Sequence, residues 1–177
     1  MTDQATGREG STLLVVTDAG PLIHLDELEC LELLADFSEV RVPEAVWREV
    51  EHHRPLALRN TKIPFVRCLP LASERVDALT ALYTLHAGEH EALCLCLEFP
   101  GTLLLTDDTA ARLAAKTLAV EAHGTLGLLV RAIRRRQLSK THVLELLSQV
   151  PKRSTLHIRP TLLEEIIRQV DETPEPQ

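Results

Sequence analysis

Two short apolar runs, LLVV at residues 13–16 and LLL at 103–105, each end on acid: Thr17-Asp18 follows the first and Thr106-Asp107-Asp108 the second. Neither run has a polar face. Such a stretch, bounded by turn formers, fits a strand buried on both sides of a parallel sheet, which in turn needs helices on both faces. Gly20 and Pro21 are expected to stop the first strand, with Pro21 at the first position of a helix whose apolar residues are Leu22, Ile23 and Leu25. The pattern reads as strand, acid at the tip, turn, helix, and it occurs twice.

Further along, strands and helices alternate. A helical pattern through Leu31, Leu33 and Leu34 precedes a β-branched run at Val40–Val42, and Pro43 then opens a helix with Val46, Trp47 and Val50 on one side. IPFVRCLP at 63–70 reads as a short extended piece, Ser73 to about Leu85 as a helix, and Gly88–Leu97 as a helix apolar on nearly all sides and deeply buried. After the LLL strand come a helix through Leu113–Leu118, a short strand near Ala119–Val120, helices at 125–134 and 139–147, and a last amphipathic stripe at Leu162, Leu163, Ile166, Ile167 and Val170. Alternating elements imply right-handed crossovers and a three-layer α/β/α sandwich with a central, mostly parallel sheet. A single domain over 11–170 is expected, with disordered tails at 1–10 and 171–177.

Composition excludes several classes. No apolar run reaches the roughly 18 residues of a membrane span and the N-terminus lacks a signal-like apolar core, so a soluble cytoplasmic protein is expected. Cys30, Cys68, Cys94 and Cys96 form no dense framework and read as reduced thiols, Cys94 and Cys96 lying too far apart around a helix to share a metal. The net charge of −7 argues against a general nucleic-acid surface, yet it is unevenly spread: residues 1–108 hold 8 Lys and Arg against 19 Asp and Glu, and 109–177 hold 11 against 7. Serine-hydrolase, P-loop and dinucleotide-binding motifs do not occur, and the histidines lack a metal-protease spacing.

Ligands of a parallel sheet bind at the carboxyl ends of its strands. Asp18 and Asp107-Asp108 would therefore share one edge. Clustered carboxylates raise each other's pKa, and an oxygen-only donor set suits Mg²⁺ or Mn²⁺. Asp18 alternatively braces the turn before Gly20, and one of Asp107 and Asp108 caps the next helix. Glu49 borders the Val46/Val50 stripe and is a further candidate. Glu89 and Glu91 cannot share a helix face; Glu91 abuts the apolar run and is preferred, with a first-turn acid stabilised by the helix dipole as the alternative.

Taken together, TDAGPLIHL, RVPEAVWREV, GEHEALCLCLE, LLLTDDTAARLAAK and GTLGLLVRA resemble a PIN domain of the VapC-type toxin kind, close to a PIN-like branch of bacteria and archaea. The resemblance spans nearly all of residues 12–170. It implies metal-dependent endoribonuclease activity on single-stranded RNA, with Asp18, Glu49 and Glu91 as the first three acids and Asp107 and Asp108 competing for the fourth. Asp18, Glu91, Asp107 and Asp108 would hold Mg²⁺ or Mn²⁺. It also implies a homodimer and a cognate antitoxin. Many such domains carry Asp at the third position and Ser or Thr two residues after the first acid, where this chain has Gly20; a catalytically silent RNA- or protein-binding module is the competing reading. Arg112 and Lys116 are expected to contact RNA phosphates, with Arg131, Arg134, Arg135 and Arg136 extending the track.

Overall fold

The computed structural model describes residues 13–174, so the tail expected at 1–10 and the last three residues of the tail expected at 171–177 lie outside it. Five strands, β1 (Leu14–Thr17), β2 (Glu39–Pro43), β3 (Phe65–Cys68), β4 (Leu103–Leu105) and β5 (Ala122–His123), form one parallel sheet in the order β3-β2-β1-β4-β5. Around it lie α1 (Ala19–Glu27), α2 (Glu44–His53), α3 (Glu74–Tyr83), α4 (Ala87–Glu98), α5 (Thr109–Thr117), α6 (Thr125–Arg134), α7 (Lys140–Arg153) and α8 (Pro160–Glu172). The expected α/β/α sandwich is the observed one.

The two buried runs explain the layers. Successive side chains of a strand point to opposite faces. Val15, Leu103 and Leu105 join a core with α1, α2, α6, α7 and α8, whereas Val16 and Leu104 join a second core with α3, α4 and α5. The register sets Val15 beside Leu103 and Val16 beside Leu104. Each fully buried aliphatic side chain stabilises the fold by about 1.5–3 kcal/mol relative to exposure, so the central strands need no polar face. Cys94 and Cys96 are buried in the second core, and burial pushes their thiols up to about 11 and about 12.

Local chemistry shifts several boundaries. α1 starts two residues before Pro21, because the Asp18 carboxylate caps it directly; Gly20 and Pro21 lie inside the first turn, where a missing N–H has no helical partner to lose. Residues 31–36 form a separate 3₁₀ segment, set off from α1 by Glu29 at φ 58°. Ala119, at φ 57°, terminates α5 rather than opening a strand, so β5 begins at Ala122. α7 runs on to Arg153 with Pro151 in its last turn, and α8 continues to Glu172, past the expected domain end at 170. Among the described residues no helix is long and apolar enough to cross a membrane.

The connection from β1 leads to β2 on one side, while β4 pairs with β1 on the other. The strand order thus reverses between β1 and β4. Outside the carboxyl ends of these two strands lies the crevice in which open parallel sheets bind ligands.

Candidate active site

Asp18 and Asp107 leave β1 and β4 at this crevice, tied together where Asp18 N donates to Leu105 O at 2.8 Å. The Asp18 side chain has one oxygen, Oδ1, accepting from Ala19 N at 2.8 Å and the other, Oδ2, from Thr106 Oγ1 at 3.2 Å. Thr106, fully buried, accepts in turn from Asp108 N at 3.2 Å, so one hydroxyl couples both strand tips. Only 8% of Asp18 is exposed. Burial pushes its carboxyl up to about 6, and the charges of Glu89 and Glu49 push the same way.

Those two acids arrive from α4 and α2. They line, with Asp18, Asp107, Asp108 and His24, a cleft of about 490 Å³. Gly88 keeps its middle open: a methyl group there would stand 3.1 Å from Val46 Cγ2, 3.4 Å from Asp18 Oδ1 and 3.7 Å from Glu49 Oε2.

The structure brings Glu89, and not Glu91, to this cleft, which corrects the sequence expectation. Two residues apart on a helix means nearly opposite faces. Glu91 Oε2 instead accepts from Ala45 N at 2.7 Å, satisfying a first-turn amide of α2 whose N-cap, Pro43, has no side-chain donor or acceptor to offer. Glu89 is buried and accepts from His86 N at 2.8 Å in a capping box. The spacing His86-x-x-Glu89 was the local signal for a fixed first-turn carboxylate.

Asp107 and Asp108 divide the remaining work. Asp107 Oδ1 accepts from Thr125 N at 2.7 Å, and its Oδ2 from Thr125 Oγ1 at 2.5 Å and from His24 Nδ1 at 2.8 Å. Three donors make it a joint between β4, α6 and α1. Gly124 is required beside it, since a methyl there would fall 2.6 Å from Asp107 Oδ1. Asp108 caps α5 through Oδ1, which accepts from Ala111 N at 2.8 Å, and is half-buried at the cleft. Sequence reading sets His24 aside as an ordinary single histidine and passes over Thr106 and Thr125, because their partners in space lie 83, 88 and 18 residues away.

The expected basic track is only partly assembled. Arg112 donates from Nη1 to Thr106 O at 3.4 Å and stands next to Asp107. Lys116 lies one turn further along α5, in a separate hollow with Arg112 and Leu113. The arginine run at 131–136 does not extend the track. α6 has its N-terminus at Asp107, so Arg134 lies roughly 14 Å along the axis, and Arg131 and Arg135 bind Asp36 at 2.7 and 2.9 Å.

A family model described as PIN domain matches residues 14–172. The chain belongs to the PIN domain family. No curated protein and no solved structure matches it significantly. PIN domains have a nuclease-type fold and typically use divalent metal ions. The donor chemistry here suits that group: Asp18, Glu49 and Glu89 offer only oxygen, around an opening that a Cβ at Gly88 would fill. Among the described residues, no three such side chains already form a ligating cluster. Among the described residues Glu49 has no hydrogen bond or ion pair, and it is exposed, so its carboxylate is not committed to another partner there.

Proposed function

We propose that this PIN domain is a Mg²⁺- or Mn²⁺-dependent endoribonuclease acting on single-stranded RNA. The observation that carries the reading is Asp18, nearly buried at the switch point with the carboxylates of Glu89 and Glu49 facing it. Asp18 and Glu89 are buried, and a desolvated acid beside other negative charge is costly unless a cation compensates it. Asp18, Glu49 and Glu89 would hold that cation, with Asp108 at the rim. When bound, such an ion supplies an activated water and neutralises charge developing on the phosphoryl oxygens.

The other residues serve geometry. Thr106 Oγ1 and Ala19 N fix the Asp18 carboxylate, so its position does not depend on the ligand. His24 and Thr125 lock Asp107 and hold the α6 N-terminus against the strand tip. Arg112 supplies a positive charge for a phosphate flanking the scissile bond. The test is cleavage of a mixed single-stranded RNA pool with Mg²⁺, Mn²⁺ or EDTA, wild type against Asp18→Asn. Cutting that needs metal and Asp18 supports the reading; no cutting by folded, inhibitor-free protein refutes it.

From the family resemblance we also propose that the chain is the toxin of a toxin–antitoxin pair, a cytoplasmic homodimer restrained by a cognate antitoxin. Induced expression should then arrest growth with wild type and not with Asp18→Asn. The open arrangement of the acids favours a second reading, a silent RNA- or protein-binding module. Calorimetric titration with Mn²⁺ separates the two, since the module has no need of a tight site.

A further inference from the structure

Beside the acidic cleft lies a second cavity of about 630 Å³, and the two share Asp107, Leu156 and His157. Their common wall is the extended segment 154–159 between α7 and α8. It is fastened from below by Glu27, near the end of α1. Glu27 Oε2 accepts from Ser154 Oγ at 3.0 Å and from Thr155 N at 2.7 Å, and its Oε1 from Thr155 Oγ1 at 3.0 Å. Burial opposes ionisation of this carboxyl, yet these hydrogen bonds outweigh it and hold the group below its usual range. Arg153 adds an ion pair to Glu29 at 2.8 Å. The start of the segment is therefore held in place.

The second cavity has the opposite character from the first. Its charged side chains besides Asp107 are Arg112 and Arg159, and neither forms an ion pair with a carboxylate among the described residues. Arg41, Arg67, Arg131, Arg135, Arg153 and Arg168 each bind an acid, whereas Arg59, Arg75 and Arg134 also have no ion pair among the described residues; what sets Arg112 and Arg159 apart is that they line one cavity next to the acidic cleft. The floor between Arg112 and Arg159 is apolar, formed by Leu126, Leu156, Ile158, Leu162 and Ile166. Leu162 is 52% exposed there.

On the reading that the substrate is RNA, we infer that this cavity seats one unpaired nucleotide next to the scissile phosphate, its phosphates on Arg112 and Arg159 and its base against Leu156 and Leu162. Two uncompensated cations bordering an acidic cleft match a phosphate chain that must approach carboxylates, because they offset its repulsion. A simple phosphate track would need no apolar floor. A base needs one, and only an unpaired strand can turn a base out into it; a duplex keeps its bases stacked inside. The volume falls within the roughly 300–1,000 Å³ usual for small-ligand pockets. His157, and the ring nitrogen of His123 that is not paired with Glu121, provide hydrogen-bonding groups for a base edge.

The experiment measures fluorescence anisotropy of a labelled ten-nucleotide single-stranded RNA and of its duplex, in EDTA across a salt series, together with cleavage in Mn²⁺. Wild type, Arg159→Gln, Leu162→Ser and the remote control Arg59→Gln are compared, each checked for wild-type thermal unfolding. Arg159 precedes α8 without capping it through its side chain and Leu162 is exposed, so neither change removes a core contact. Arg159→Gln should weaken single-strand binding roughly tenfold and reduce the salt slope by about one. Leu162→Ser should weaken it several-fold with the slope unchanged, and Arg59→Gln should change nothing.

If wild type cleaves and both groove variants bind and cleave as it does, the nucleotide seat is wrong while the nuclease reading stands. If wild type binds single strands through Arg159 and Leu162 but never cleaves, the seat stands and the nuclease reading fails. Equal affinity for duplex and single strand, or no RNA binding at all, overturns the seat.

Discussion

Replacing Asp18 by Asn should make the metal-free protein more stable at neutral pH while abolishing its activity. The Asp18 carboxyl is displaced from 3.8 to about 6, which at about 1.36 kcal/mol per unit corresponds to about 3 kcal/mol. Because the folded state holds this proton to higher pH than the unfolded chain does, the native protein loses stability as pH rises from about 4 to about 6 and stays penalised above that. Asn carries no charge to desolvate. Its side-chain oxygen can still accept from Ala19 N, and its amide can donate to Thr106 Oγ1, so the α1 cap survives. The variant and wild type should unfold at similar temperatures near pH 3.5 and separate by roughly 6–12 °C at pH 7.5 in EDTA. Scanning calorimetry at both pH values is the assay. Mn²⁺ at pH 7.5 should then raise the wild-type melting temperature and leave the variant unmoved. A variant that melts below wild type at pH 7.5, or by the same margin at both pH values, would refute the argument that desolvation and acid–acid repulsion set the energy of this site.

Three other outcomes are expected. Glu89→Gln should lower RNA cleavage by at least the 10–100-fold typical of disturbed metal surroundings, whereas Glu91→Gln should leave cleavage near wild type and cost about 1 kcal/mol of stability through the weakened contact to Ala45 N; steady-state rates and chemical denaturation of both variants check this. Gly124→Ala should destabilise the fold by about 1–3 kcal/mol by forcing a methyl group against Asp107, measured by urea unfolding. Cys94 and Cys96 should resist a thiol reagent at pH 8 in the native protein and react fully in denaturant, because buried, protonated thiols are poor nucleophiles.

The layers and the sheet were readable from the sequence because they depend on local repetition: LLVV and LLL have no polar face, and each is followed by a turn and a helical stripe. Pro43 and Ser73 marked the approach to α2 and α3 for equally local reasons. The acids at the two strand tips followed from the same pattern. What could not be read was how α4 is rotated about its axis against β1, and that rotation alone decides between Glu89 and Glu91. The three donors on Asp107 were hidden too, since His24 is 83 residues away and Thr125 is 18. Arg131 and Arg135 looked like part of a track only because their neighbour in space, Asp36, is remote in sequence.

The fastening of segment 154–159 to Glu27 bears on the order in which the protein comes into being. The ribosome delivers the chain from its N-terminus, and by the time α5 has been synthesised every acid of the cleft is present in it. The wall that separates cleft from groove, and Arg159 with it, arrives some forty residues later. On the proposed function, the chain thus carries its acids and Arg112 before Arg159, and the groove side of the site is completed only once Glu27 has met Thr155.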